Sequence, residues 1–232
     1  MIIERLGQGG LFITLNSGKR IIIDPYLSNS LYELKDSRFT RLVPTKTDIP
    51  KPDLIMISHD HIDHYDIKTL HNWLDDDGSI QILTTYPVYQ SIVSKWPTKH
   101  NIVVMRDGVE VTMDDMLVQA VPASHESNEA TGFLISAEGK NIYVSGDTLY
   151  TTRIIDSLKA VEIDVAFLCI NGFGNNMNYK DAARMANLLK PHLVIPVHWD
   201  MFEAFGENPE LFIKELVGVQ AQVVRAYEQI EI

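Results

Sequence analysis

The apolar run "DLIMI" ends in "SHDHIDH" at residues 58–64, which gathers three histidines and two aspartates in a chain that holds eight histidines in 232 residues. An apolar run of this length reads as a strand buried on both faces. Whatever fold contains it must therefore carry a polar cluster at the end of a central strand. In extended backbone alternate side chains share a face, so His59 and His61 point at one object and Asp60 turns away. Asp63 and His64 follow at the turn into a helix over 66–74, where Ile67, Leu70, Trp73 and Leu74 have helical spacing. Imidazole and carboxylate are the nitrogen and oxygen donors of first-row metals, and a set without a cysteine suits zinc, manganese or iron.

The same placement recurs along the chain. His125 follows "LVQAVPAS", Asp147 follows "NIYVSG" and His198 follows "LVIPV", each at the C-terminal edge of an apolar strand. Strand ends that share one direction gather on one rim, so these residues are expected beside the first cluster. "IIERL", "LFITL" and "RIIID" read as an opening antiparallel meander, and residues 28–52, polar with three prolines, as a loop insertion. "QILTT", "IVVM", "VEVTM", "MLVQAVPA", "GFLISA" and "NIYVS" supply six further strands, with a helix over 86–96 between the first two. A helix over 151–160, a strand over 162–170, a helix over 179–190 and a strand over 193–198 complete the pattern. In the later helix Ala182, Met185, Ala186 and Leu189 form the apolar stripe, with Asn178 as N-cap. Two β-rich halves, each ending in helices, predict a single α/β domain over 1–232, built as a two-sheet sandwich with helices outside.

Composition narrows the partners. A net charge of −11 argues against a nucleic-acid backbone as ligand, since phosphate binding needs basic stripes. No window reaches the length of apolar sequence that spans a membrane. "MIIERLGQGG" lacks the pattern of a signal peptide, so a cytoplasmic location is expected. The single cysteine, Cys169 in "VAFLCI", excludes an internal disulfide and reads as a small core hydrophobe. His71, His100 and His192 match no strand-end element and read as surface residues. Trp199 either walls a pocket or simply packs, and assembly as a homo-oligomer is left open.

His59, His61, Asp63 and His64 match the HxHxDH signature of the metallo-β-lactamase fold superfamily, which this chain resembles. Asp24 in "IIIDPYL", His125 in "VPASHES", Asp147 in "SGDTLY" and His198 in "IPVHWD" match its other elements in order, so the resemblance runs over nearly the whole chain. It implies a four-layer αββα sandwich of two mixed sheets. It also implies two divalent metal ions, one held by His59, His61 and His125, the other by Asp63, His64 and His198, with Asp147 bridging. Asp24 resembles the superfamily's aspartate that orients the ligands from behind.

Two metals imply hydrolysis by a hydroxide that exists at neutral pH, with Asp63 orienting it as well as binding metal. The superfamily hosts many substrates, so the fold does not name one. "SHDHIDHYD" and "LKPHLVIPVHWDMFEAFGENPELF" look most like the L-ascorbate-6-phosphate lactonase branch, although the chain lacks that branch's terminal extensions. This implies a small anionic lactone or carboxylic ester as substrate, the alternative being a small or lipid phosphodiester. A metal-binding protein without turnover is disfavoured by the complete ligand set. The stretch "NGFGNNMNYK" is expected to form a pocket loop, with Asn171, Asn175, Asn176 and Lys180 as substrate contacts and Lys180 as the anchor of a distal phosphate.

Overall fold

Fully apolar strands must be covered on both faces, and the alternation along them assigns each residue to one side. The computed structural model describes residues 1–75, 78–97, 100–127 and 129–232. Strands β1 (Ile2–Gly7), β2 (Gly10–Thr14) and β3 (Arg20–Ile23) form the expected antiparallel meander, and β4 (Leu54–Ile57), β5 (Gln81–Thr84) and β6 (Asn101–Val104) extend it in parallel. The second sheet opens with antiparallel β7 (Glu110–Met113), β8 (Met116–Pro122), β9 (Thr131–Ala137) and β10 (Lys140–Val144). It continues in parallel through β11 (Val165–Cys169), β12 (Leu193–Val197) and the short β13 (Gln220–Ala221). A last strand, β14 (Gln229–Glu231), returns to pair antiparallel with β1, so each sheet has seven strands among the described residues.

Ile21, Ile23, Leu54 and Met56 face Val144, Val165, Phe167 and Ile195 in a core shared by the two sheets. Their alternates Ile22, Ile55 and Ile57 pack outward under α1 (Ile67–Leu74) and α2 (Tyr86–Lys95), through Leu70, Trp73, Leu74, Val88 and Ile92. On the other outer face Ala166 and Leu168 meet α3 (Thr152–Leu158), α4 (Tyr179–Leu189) and α5 (Pro209–Lys214). The result is the four-layer αββα sandwich of two mixed sheets. Asn178 caps α4 by accepting from the N–H groups of Lys180 and Asp181. Cys169 is buried in the α3–α5 layer as expected, and burial pushes its thiol up to about 12.

Residues 28–52 contain two 3₁₀ turns, Leu31–Leu34 and Ser37–Phe39. They are organised by Arg41, which donates to the carbonyls of Ser28 at 2.6 Å, Val43 at 2.9 Å and Pro44 at 3.1 Å while lying over the Tyr26 ring. Leu31 and Val43 then pack with Tyr26, Met201 and Phe202 in a satellite core. The 28–52 segment is thus fastened against Met201 and Phe202, just after β12.

Candidate metal centre

β4 delivers Ser58 and His59 directly, and both are buried. The chain then turns at His61, whose carbonyl accepts from the N–H of His64 at 3.0 Å and of Tyr65 at 2.7 Å. The strand alternation expected through residue 61 therefore stops early. Asp60, expected to turn away, lines the cavity instead, although it belongs to none of the donor groups below. His125 arrives after β8, Asp147 after β10 and His198 at the end of β12. Gly146, with φ of +57°, lets the Asp147 loop close on the His59 loop, because a Cβ there would stand 3.0 Å from that of Ser58.

The donor atoms fall into three overlapping groups, each with its ligand atoms within 4.8 Å of one another: His59, His61 and His125; His59, His64 and Asp147; and Asp63, His64 and His198. His59 Nε2, His64 Nε2 and Asp147 Oδ1 are buried and make no hydrogen bond. Leaving such atoms unpaired is costly, and buried polar groups are almost always satisfied. His64 Nε2 and Asp147 Oδ1 lie 3.4 Å apart with His59 Nε2 in the same group, and once His64 gives up its second proton the three are donors that a divalent cation completes, so the residues present fit metal ions.

Hydrogen bonds behind the cluster fix which nitrogen faces it. His64 Nδ1 donates to Asp24 Oδ2 at 2.8 Å, which turns Nε2 toward the group. Ser58 Oγ donates to the same carboxylate at 2.6 Å and therefore accepts from His59 Nδ1 at 2.9 Å, so one aspartate sets two imidazoles. His125 Nδ1 donates to the backbone carbonyl of Asn175 at 3.3 Å. Gln8 Nε2 donates to Asp63 Oδ2 at 2.7 Å and lies 3.3 Å from His198 Nε2. Gln8, Asp24, Asn175 and His198, all at or beside the cluster, take left-handed φ between 45° and 62°, a conformation uncommon outside glycine.

Burial and mutual charge divide the histidines. Burial, reinforced by the neighbouring His64, holds His59 well below the ordinary imidazole value, and burial lowers His125 as well. For His64 burial acts the same way, but the carboxylates of Asp147, Asp24 and Asp63 outweigh it and hold the ring well above its usual range. His198 is likewise lifted against burial, to about 9, chiefly by Asp147. Burial would raise Asp63 and Asp147, yet the facing imidazoliums of His64 and His198 keep both carboxyls lowered.

A cavity of about 410 Å³ opens above these residues. Asp63, His61, His125, Asp147 and His198 lie among its lining, with Gln8, Asn171 and Asn176 beside them. Asn176 donates to Asn171 Oδ1 at 3.1 Å, and its own Oδ1 is buried and unpartnered. Asp60 and Glu126 also face it, and the rest of the wall is largely apolar: Leu31 and Phe39 from the 28–52 segment, Ile62, Phe173, Phe202 and Phe205.

Three expected substrate contacts are placed elsewhere. Lys180 is exposed on the outer side of α4 beside the Tyr179 ring, in a depression it shares with Arg184. The helix turns Ala182, Met185 and Ala186 into the sheet, which sends Lys180 and Arg184 outward together. Trp199 donates to the Pro196 carbonyl and stacks under the Arg5 guanidinium, outside the cavity lining. Asn175 serves through its backbone carbonyl, while its side-chain amide donates to Glu126. His71 and His192 are exposed as expected, whereas His100 is half-buried, with Ile80 N–H donating to its Nδ1. Gln8, Ser58 and the phenylalanine wall were not singled out by the sequence reading. The glycines flanking Gln8 and the position of Ser58 directly before His59 were the available signals.

Two mixed sheets with outer helices and a histidine–aspartate cluster on one rim define the metal-dependent hydrolases of the metallo-β-lactamase fold. The family model described as a beta-lactamase superfamily domain matches residues 19–199, and the chain belongs to that family. It is similar to UPF0173 metal-dependent hydrolases of Pyrococcus abyssi, 30% identical over 96% of this chain and 94% of the relative, and of Pyrococcus furiosus, 31% identical over 94% and 93%. Among solved structures, Igni18, a metallo hydrolase from Ignicoccus hospitalis, shares the fold with a TM-score of 0.79 at 21% identity, over 99% of this chain and 97% of that one. The chain is accordingly a metal-dependent hydrolase of this superfamily. No helix among the described residues is long and apolar enough to cross a membrane.

Proposed function

We propose that the protein hydrolyses a small lactone or carboxylic ester, with His59, His61 and His125 holding one divalent ion, Asp63, His64 and His198 a second, and Asp147 shared between them. The observation that supports the reading is the convergence of buried His59 Nε2, His64 Nε2 and Asp147 Oδ1, none of them hydrogen-bonded, beneath an open cavity. Divalent ions at these donors would supply a water of lowered pKa and polarise the substrate carbonyl. Asp24 and Ser58 keep the two buried imidazoles in the metal-binding tautomer. Gln8 holds one oxygen of Asp63, which lines the cavity and would orient the attacking water. Hydrolysis there would join the water oxygen to the carbonyl carbon and break the acyl carbon–oxygen bond. One of the water's protons passes to the leaving alkoxide, and the carboxylic acid formed loses the other to solvent.

The phosphate anchor expected at Lys180 has no counterpart, because no Lys or Arg lines the cavity among the described residues. This disfavours a phosphorylated sugar lactone. A phosphodiester, whose charge would lie at the metal end, tolerates the same absence and is the second reading. A hydrolysis screen with added Mn²⁺ or Zn²⁺ separates them: turnover of lactones or esters supports the first reading, and turnover of phosphodiesters alone supports the second.

A further inference from the structure

The part of the cavity away from the histidines is built for an uncharged, ring-bearing group. Phe39 comes from the 28–52 insertion, Phe173 from the loop after β11 and Phe205 from the 3₁₀ turn Glu203–Phe205. Phe39 and Phe205 lie 5.3 Å apart between ring centres at 34°, and Phe173 meets Phe205 at 5.6 Å and 75°. Rings at these differing tilts offer both faces and edges, the surfaces against which an aromatic guest packs. Phe173 is 49% exposed, a large apolar group left open at the cavity.

The charges lining the cavity point the same way. Its acidic residues are Asp60, Asp63, Glu126 and Asp147, and metal ions at the histidines would offset Asp63 and Asp147. Two divalent ions would leave two positive charges over those carboxylates, which Asp60 and Glu126 balance, so the lining offers an anionic substituent no net attraction. Arg38 lies 5.8 Å from the Phe205 ring centre, but Asp36 holds its guanidinium at 2.6 and 3.0 Å, and it is not part of the lining.

We propose that the substrate is a neutral lactone or ester carrying a compact aromatic group, seated against Phe39, Phe173 and Phe205 while the carbonyl faces the histidines. This rests on the ester-hydrolase reading above, so the test separates binding from turnover. The metal-loaded protein is titrated calorimetrically with 3-phenylcyclopentanone, a ketone that cannot be hydrolysed, and with cyclopentanone. The phenyl compound is expected to bind about 30-fold tighter, the scale of burying one aromatic ring. Phe173→Ala and Phe39→Ala should each cut that preference several-fold; Phe173 is exposed, and for the half-buried Phe39 an unchanged circular dichroism spectrum shows that the fold survives. Equal affinity for the two ketones, a preference untouched by both substitutions, or tighter binding of 3-oxocyclopentanecarboxylate than of cyclopentanone overturns the inference. In parallel, γ-phenyl-γ-butyrolactone is compared with γ-butyrolactone as substrate. A binding preference for the phenyl ketone with no turnover of either lactone supports the aromatic seat and counts against the ester-hydrolase reading instead.

Discussion

His64 Nδ1 donates to Asp24 Oδ2 at 2.8 Å, and neither side chain reaches solvent. The same Asp24 oxygen accepts from Ser58 Oγ, which in turn holds His59. One carboxylate therefore sets a histidine in each half of the donor cluster, without itself facing the cavity.

Removing that carboxylate tests the arrangement. Asp24→Ala should weaken metal binding by about 10- to 100-fold, the usual cost of losing a hydrogen-bond partner behind a ligating imidazole. Competition with a chromophoric chelator measures it. Affinity equal to that of the unaltered protein would remove Asp24 from the site's support.

Arg5 in β1 pairs with Asp200 through two hydrogen bonds, at 2.6 and 2.5 Å, and ties the first strand to the turn that carries His198. The Arg5 side chain is fully buried and Asp200 is at the edge. Asp200→Ala strands the guanidinium and should cost about 3 kcal/mol in urea denaturation. The double variant Arg5→Met with Asp200→Ala should recover most of it, since no charge is then left buried. Equal losses in the single and double variants would show that the pair's charge is not what matters.

The metal-ligand candidates were legible because His59, His125, Asp147 and His198 each come just after a largely apolar strand, which leaves little freedom in where the strand ends. Asp24 was legible for the same reason at the end of β3. The phenylalanine wall was not. Phe39, Phe173 and Phe205 lie in three separate loops whose polar composition reads as turns, and the insertion's course depends on Arg41 reaching carbonyls on both sides of it. The place of Lys180 was not legible from its charge and its nearness to the loop, because the apolar stripe of Ala182, Met185 and Ala186 orients α4 and turns Lys180 outward. β13 and β14, of two and three residues, pair with strands far away in the chain and carry too short a pattern to be read alone.

In the metal-free protein His198 is held protonated up to about 9 by Asp147 and Asp63, against an ordinary histidine value of 6.5. A folded-state pKa raised in this way contributes stability that is fully present below about 6.5 and is lost as pH rises through about 9. The chelator-treated protein should therefore melt at a lower temperature at pH 9.5 than at pH 7. Metal binding at pH 7 should displace protons, so its calorimetric heat should change with the ionisation enthalpy of the buffer. A melting temperature that stays level or rises over this range, together with a buffer-independent heat, would contradict the charge state given to His198.

Metal content is the most direct measure of the site. Protein equilibrated with Mn²⁺ or Zn²⁺ and dialysed should retain about two ions per chain by elemental analysis, as a paired hydrolytic centre requires. Asp147→Asn, at the position shared between the two donor sets, should retain about one or none while its circular dichroism is unchanged. An unaltered protein that retains no metal, or an Asp147→Asn variant with its full complement, would contradict the assignment.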